Sequence, residues 1–201
     1  LIKQNKGKSN SNFFNAYLLL IIDSLKKNGF NNVMGVDISQ EQIDIAHKLG
    51  IYDVKCQDID GFFKEQKGHS FDVIFLMDIL EHIEKHEVLD MLDKVKILLK
   101  DNGMVVIHVP NAVGIFGMSV RYGDFTHESA FTSRSIKQVL SVCGFDKIKC
   151  YEDRPIIHSL NSFIRFILWS ILSLPFRLLL LAETGVIKPL LSQNILVIAM
   201  F

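Results

Sequence analysis

The chain has 201 residues, 49% of them hydrophobic, with 15 phenylalanines. That suffices for one globular domain with a sizeable core and excludes a disordered chain. The 22 basic residues balance 22 acidic ones, which excludes the strongly basic surface that nonspecific nucleic-acid binding needs, so no nucleic-acid partner is expected.

Three cysteines, Cys56, Cys143 and Cys150, are odd in number and show no Cys-x-x-Cys spacing. They read as free thiols in a reducing, cytoplasmic compartment, and a zinc ribbon is excluded. The chain opens on Leu1 rather than Met and reads as N-terminally truncated. Lys3, Lys6 and Lys8 before the apolar run 13–22 superficially resemble a signal peptide. The run ends in Asp23-Ser-Leu-Lys-Lys with no small-x-small site after it, so secretion is rejected.

In chain order, 1–3 is at most a short strand. Residues 13–28 fit a helix closed by Asn28-Gly29. Residues 33–38 read as a buried strand ending in a carboxylate, Asp37, with Gly35 allowing a backbone or ligand to approach. Ser39 is placed to cap the helix 40–49, with Gln42 completing a capping box. A second strand is expected over 51–59, a short helix over 60–66 and a turn at Lys67-Gly68-His69-Ser70. The run Phe71-Asp-Val-Ile-Phe-Leu-Met77 has the composition of a covered parallel strand.

Helical periodicity follows over 86–100, with His86 as its cap, then a strand over 104–109 that Pro110-Asn111 breaks. Residues 112–131 read as a long loop. A helix starts at Thr132-Ser-Arg-Ser135 and stops at Cys143-Gly144. A strand at 147–152, an apolar helical excursion within 155–192 bent near Pro175, and a terminal strand at 194–201 complete the chain. Alternating strands and helices predict one α/β domain: a doubly wound, mostly parallel sheet with helices on both faces and an antiparallel last strand. Ligands of such sheets bind at the carboxyl ends of the strands, where an acidic residue grips ribose hydroxyls. Asp37 therefore suggests a nucleoside-containing cofactor.

Five segments in this order carry a resemblance: Gly35-Val-Asp37-Ile-Ser39, Asp58-Ile59, the 71–82 run through Asp78-Ile-Leu-Glu81-His82, Leu99-Lys-Asp-Asn-Gly103 and Val109-Pro-Asn111. Together they resemble the class I S-adenosylmethionine-dependent methyltransferases, a Rossmann-like family, over roughly residues 18–150. The loop Arg121-Tyr-Gly-Asp-Phe-Thr-His127 and the apolar stretch after Asn161 are more loosely similar to bacterial surface-glycan and lipopolysaccharide methyltransferases. The resemblance implies S-adenosylmethionine as cofactor. Gly35, Asp37 and Ile38 would hold its ribose and adenine, Asp58 and Ile59 the adenine edge, and Met77 and Asp78 the methionine moiety. The competing reading of Asp58 is a strand-end carboxylate facing water. The family's Gly-rich loop between first strand and first helix is missing: Gly7-Lys-Ser-Asn-Ser-Asn12 stands there with one glycine.

His82 and His127 are the candidate general bases, because an imidazole titrates near neutral pH. Asp78, Glu81, His82 and His127 resemble the acidic-x-x-Glu-His plus distant His of some metal-dependent O-methyltransferases, which implies Mg²⁺. The competing reading has Glu81 capping a helix and His82 packing near the cofactor. Arg121, Tyr122 and Asp124 suit a hydroxylated acceptor such as a sugar. The apolar stretch 160–182 fits a peripheral membrane contact, a homodimer contact or a lid packed on the sheet, so the expected location is cytoplasmic, with membrane association as the alternative. The expected activity is O-methylation of a sugar or glycan-linked acceptor. The rivals are a catalytically inactive methyltransferase-like binding or assembly module and a quinone or small-molecule O-methyltransferase.

Overall fold

The computed structural model describes residues 2–3 and 16–201, with side chains from Leu18 onward. The segment Gly7–Asn12, where the Gly-rich loop was sought, lies outside the described residues, as do residues 13–15 of the first expected helix.

Among the described residues, seven strands form one sheet: β1 (Ile2–Lys3), β2 (Gly35–Asp37), β3 (Val54–Cys56), β4 (Phe71–Met77), β5 (Leu99–Pro110), β6 (Lys149–Glu152) and β7 (Asn194–Met200). Their order is β3-β2-β1-β4-β5-β7-β6. Strands β1 to β5 pair in parallel. Strand β7 runs antiparallel to both β5 and β6, as the sequence predicts. Although β1 has two residues, it pairs on both sides, Ile2 opposite Val36 and Leu76. The order reverses there, so the carboxyl ends of β1, β2 and β4 surround the switch point where such sheets bind ligands.

Among the described residues, eight α-helices connect the strands: α1 (Ala16–Lys27), α2 (Gln40–Lys48), α3 (Ile59–Glu65), α4 (Val88–Leu98), α5 (Gly117–Gly123), α6 (Ser133–Val142), α7 (Leu160–Leu172) and α8 (Leu174–Thr184). Two apolar clusters cover the two faces of the sheet. Leu18 and Ile22 of α1 pack with Ile43 and Ala46 of α2 and with Val54. The larger cluster joins Leu92 and Val95 of α4 and Ile136 and Leu140 of α6 to Leu76, Ile107 and Val197. Strand β2 shows that these are opposite faces. Val36 belongs to the larger cluster, and a Cβ on neighbouring Gly35 would meet Ile22 at 2.7 Å and Leu18 at 3.1 Å.

Several expectations are corrected. The space at the Cβ position of Gly35 is taken by α1, so the close approach this glycine allows is that of a helix. The second strand is only Val54–Cys56. Asp58 accepts the Gly61 N–H at 2.6 Å as the N-cap of α3, so Ile59 begins a helix and is buried in the core. Ser39 makes no side-chain cap; its N–H instead donates to Asp37 Oδ1 at 2.8 Å. Glu87, not His86, precedes α4, and His86 is exposed beside Glu84. The 112–131 loop contains α5, whose residues are buried only at Gly117. That helix has no inward apolar stripe to reveal it in the sequence. Thr132, at the predicted helix start, caps α6 in a reciprocal capping box with Ser135.

Candidate active site

Strand β4 delivers Asp78 to the carboxyl edge of the sheet. Its φ of +54° is left-handed, unusual for a residue with a side chain and a form of strain that gathers at functional sites. The geometry follows from two bonds to one residue of β5. The Asp78 N–H donates to the His108 carbonyl at 3.1 Å, and Asp78 Oδ1 accepts from His108 Nδ1 at 2.6 Å. Burial of His108 opposes its charge, but bonds to Asp153 and Asp78 outweigh that and raise its pKa to about 10. At 3.5 Å the Asp153 contact is long, so buried Asp78 has the larger share. Oδ2 of Asp78 is also buried and has no hydrogen-bond partner among the described residues.

A single 3₁₀ turn, Leu80–His82, follows Asp78 and buries both Glu81 and His82. The Glu81 carbonyl accepts the N–H groups of Glu128 at 2.6 Å and Ser129 at 3.1 Å. This clasp brings His127 against His82, ring centroids 4.7 Å apart and edge-on. Ligand atoms of Glu81, His82 and His127 lie within 4.8 Å of one another, and all three residues are buried. Asp78 is not among them. The four-residue metal set expected from the sequence is therefore three, because Asp78 turns to His108.

The hydrogen bonds assign the tautomers. Thr126 has one hydroxyl proton, which it donates to Asp124 Oδ1 at 2.7 Å. Its Oγ1 can then only accept from His82 Nδ1, at 3.0 Å, and the Thr126 carbonyl accepts at 3.3 Å. His127 Nδ1 lies 3.0 Å from the Val120 carbonyl, which likewise can only accept. Both rings thus carry hydrogen on Nδ1, which leaves Nε2 as the basic nitrogen of each. Burial first, then the neighbouring His127, hold the His82 pKa below the ordinary 6.5. His82 is accordingly a neutral base at neutral pH.

Asp124 is the inner support of this loop. Partial burial works against its charge, but the N–H and hydroxyl of Thr126 keep its pKa below the usual range. Arg121 donates to the Glu128 carbonyl at 2.9 Å and lies over the Tyr122 ring. Tyr122 and Phe125 project into solvent, 71% and 103% exposed. Of the expected acceptor-binding residues, Arg121 and Tyr122 face outward and Asp124 holds the loop.

Across the switch point, Asp37 is 1% exposed, its carboxylate oriented by the Ser39 N–H. Ile38 is half-buried beside it and Met77 is buried. Asp58 is exposed at the head of α3.

The sequence matches the methyltransferase domain family over residues 17–149. The chain belongs to that family. An uncharacterized protein of Methanocaldococcus jannaschii is 28% identical over 130 residues, 61% of this chain and 60% of the relative. The chain thus matches less than two thirds of that relative's length. The fold is similar to a SAM-dependent methyltransferase of Archaeoglobus fulgidus, with a TM-score of 0.67, 21% identity, and 90% of this chain and 80% of that chain covered. It is also similar to 1,6-didemethyltoxoflavin-N1-methyltransferase of Burkholderia thailandensis, solved with bound 1,6-didemethyltoxoflavin and S-adenosylhomocysteine. There the TM-score is 0.53 and the identity 12%, with 89% and 64% of the two chains covered. Asp37, Asp78 and the His82–His127 pair all fall at the carboxyl edge of the sheet, where open α/β sheets bind ligands.

Proposed function

We propose that the chain is an S-adenosylmethionine-dependent methyltransferase that O-methylates a hydroxylated acceptor, a sugar or glycan-linked group. The observation that carries this reading is the pair of buried imidazoles with both Nε2 lone pairs uncommitted, on the edge that also bears Asp37.

The residues present fit the cofactor. Asp37 is a preoriented carboxylate at a strand end, suited to two ribose hydroxyls. The bare Oδ2 of Asp78 is a buried acceptor that suits the ammonium of the methionine moiety. Asp58 keeps one oxygen for the helix cap and offers the other to the adenine amino group. When bound, S-adenosylmethionine supplies an electrophilic methyl group. The protein must then align an acceptor oxygen and take its proton, and a neutral Nε2 of His82 or His127 can do so. The mobile proton has a defined destination because Nδ1 of each ring is already bonded. Arg121 and Tyr122, on α5 in the segment that carries His127, would recognise the acceptor's hydroxyls and ring face.

Calorimetry with S-adenosylmethionine, followed by transfer of a labelled methyl group to a panel of glycans, quinones and small phenols, tests this. Binding is expected, lost in Asp37→Ala, and retained in His127→Ala with turnover down by about 10²–10⁴-fold. Absence of binding to wild type sinks the enzyme reading in favour of an inactive binding module. Transfer to a quinone alone moves the acceptor class.

One observation favours a metal-assisted version. Metal-binding histidines usually donate their other ring N–H to a carbonyl or carboxylate, and both His82 and His127 do so. Two imidazoles and one carboxylate suit a transition ion such as Mn²⁺ or Zn²⁺ better than the expected Mg²⁺, which prefers oxygen ligands. Glu81, His82 and His127 would hold it, and it would lower the acceptor hydroxyl's pKa. Loss of turnover with a chelator, restored by Mn²⁺ but not in Glu81→Gln, is the expected outcome. Chelator-insensitive turnover removes the metal.

A further inference from the structure

We propose that α7 and α8 form a docking surface for a lipid bilayer with anionic headgroups, lying in the plane of its interface. The segment Leu160–Thr184 is long and apolar enough to cross a membrane, yet only 6% of its apolar window is buried in the domain. Its burial is inverted. The residues it hides are Ser162 and Ser173, while Leu160, Ile164, Leu168, Leu172, Leu174 and Leu179 are 46–73% exposed. A soluble surface helix does the opposite, turning its apolar stripe to the core. Exposed apolar area on this scale marks an interaction site.

Three observations choose the bilayer over a second copy of the chain. The first is charge. Arg165 and Lys188 lie in or beside the segment with no ion-pair partner among the described residues, Arg154 and Arg177 are both held by Glu152, and Glu183 is the only acidic residue between 154 and 188. A twofold contact would bring like charges together, whereas anionic headgroups complement them. The second is shape. On α8 the exposed Leu174, Phe176, Leu178, Leu179 and Leu181 point to most sides of the helix. A protein groove grips one stripe, but a fluid apolar phase accepts any side. The third is the tether. Arg177 donates to Glu152 Oε1 at 2.6 Å and to the Pro189 carbonyl at 2.8 Å. Arg177 thereby pins α8 to the edge strand β6, which favours a helix lying in the interface over one threading through it.

The position ties this surface to the site. The excursion leaves after Glu152 and returns at Asn194, opposite Pro110, the carboxyl end of β5. Asn111 Nδ2 donates to the Leu190 and Ser192 carbonyls, binding the returning limb to the loop that carries His127. That loop presents Phe116, Tyr122 and Phe125, aromatics suited to a membrane interface.

The test is flotation of the whole chain with phosphatidylcholine vesicles, with and without phosphatidylglycerol. Trp169, the single tryptophan, sits in α7 and reports on wild type directly. Partitioning onto anionic vesicles about tenfold above neutral ones is expected, with Trp169 emission quenched by brominated acyl chains. Leu168→Glu with Leu172→Glu should abolish partitioning at unchanged circular dichroism, and Arg165→Glu should remove most of the anionic preference. Asp37→Ala should float like wild type, so the outcome is separable from the methyl-transfer reading. Failure to float on either vesicle, or unquenched Trp169, overturns the proposal. So does a dimer that the Leu168→Glu, Leu172→Glu variant converts to monomer while wild type stays off vesicles.

Discussion

At the scale of single residues, two histidines of the same edge are tuned in opposite directions. His108 has a raised pKa, about 10, because Asp78 and Asp153 flank it. Its charged form is favoured in the fold. The stability it contributes is full below its unfolded value of 6.5 and is lost as pH rises towards 10. Chemical denaturation of wild type and His108→Gln should therefore differ most near pH 6 and converge near pH 10. A gap that widens with pH contradicts the assignment. His82 has a lowered pKa, so its neutral form is favoured, and the acid limb of turnover should lie below 6.5. Thr126→Val removes the hydroxyl that fixes the His82 tautomer. Turnover should fall by roughly 10–100-fold, with Thr126→Ser restoring it. His82 comes soon after β4 and His127 lies in the segment after β5, and the structure brings the two rings together at the carboxyl end of the sheet. The Asp78–His108 pair was not legible in the sequence: it depends on the parallel register of β4 against β5, which places Met77 opposite His108. Nothing in either segment alone announces that register.

Elements carry the next level of support. A Cβ on Gly117 would run into the Asn111 carbonyl, so Gly117→Ala should cost about 1–3 kcal/mol by overpacking and disturb α5, which carries Arg121 and Tyr122. Thr132→Ala should cost about 1 kcal/mol by removing the cap of α6. Both are read by thermal melts. Glu152 accepts from Arg154, Arg177 and the Leu191 N–H. Burial opposes its charge, but these donors hold its pKa below the usual 4.5. Its contribution is present above 4.5 and is lost as pH falls through the lowered value. Glu152→Gln should therefore loosen the 153–193 excursion, seen as faster amide exchange there at neutral pH than in wild type. Helices with a clear apolar stripe, α2, α4 and α6, were legible to within a few residues. Helix α5 was hidden, since only Gly117 is buried. Strand β3 was overread because Asp58 caps a helix at the point where apolar Ile59 seemed to extend the strand.

For the whole molecule, the parallel pairing of β1 to β5 was legible in the alternation of strands and helices and the antiparallel β7 in the long excursion before it, whereas the strand order rests on long-range pairing that no segment announces. The two core clusters meet the sheet on opposite faces through neighbouring residues, Gly35 and Val36. A branched side chain at Gly35 should separate α1 from the sheet; Gly35→Val is expected to lower stability by about 1–3 kcal/mol, with loss of cofactor binding as the domain loosens. An unchanged melting temperature would contradict that packing. Because the excursion departs from and returns to the same edge that bears His82 and His127, a bilayer under α7 and α8 would lie beside the chemistry. Enzyme and a membrane-resident acceptor would then meet by diffusion in two dimensions. Turnover would follow the acceptor's mole fraction in the surface, and adding inert lipid at constant acceptor would slow the reaction although its bulk concentration had not changed.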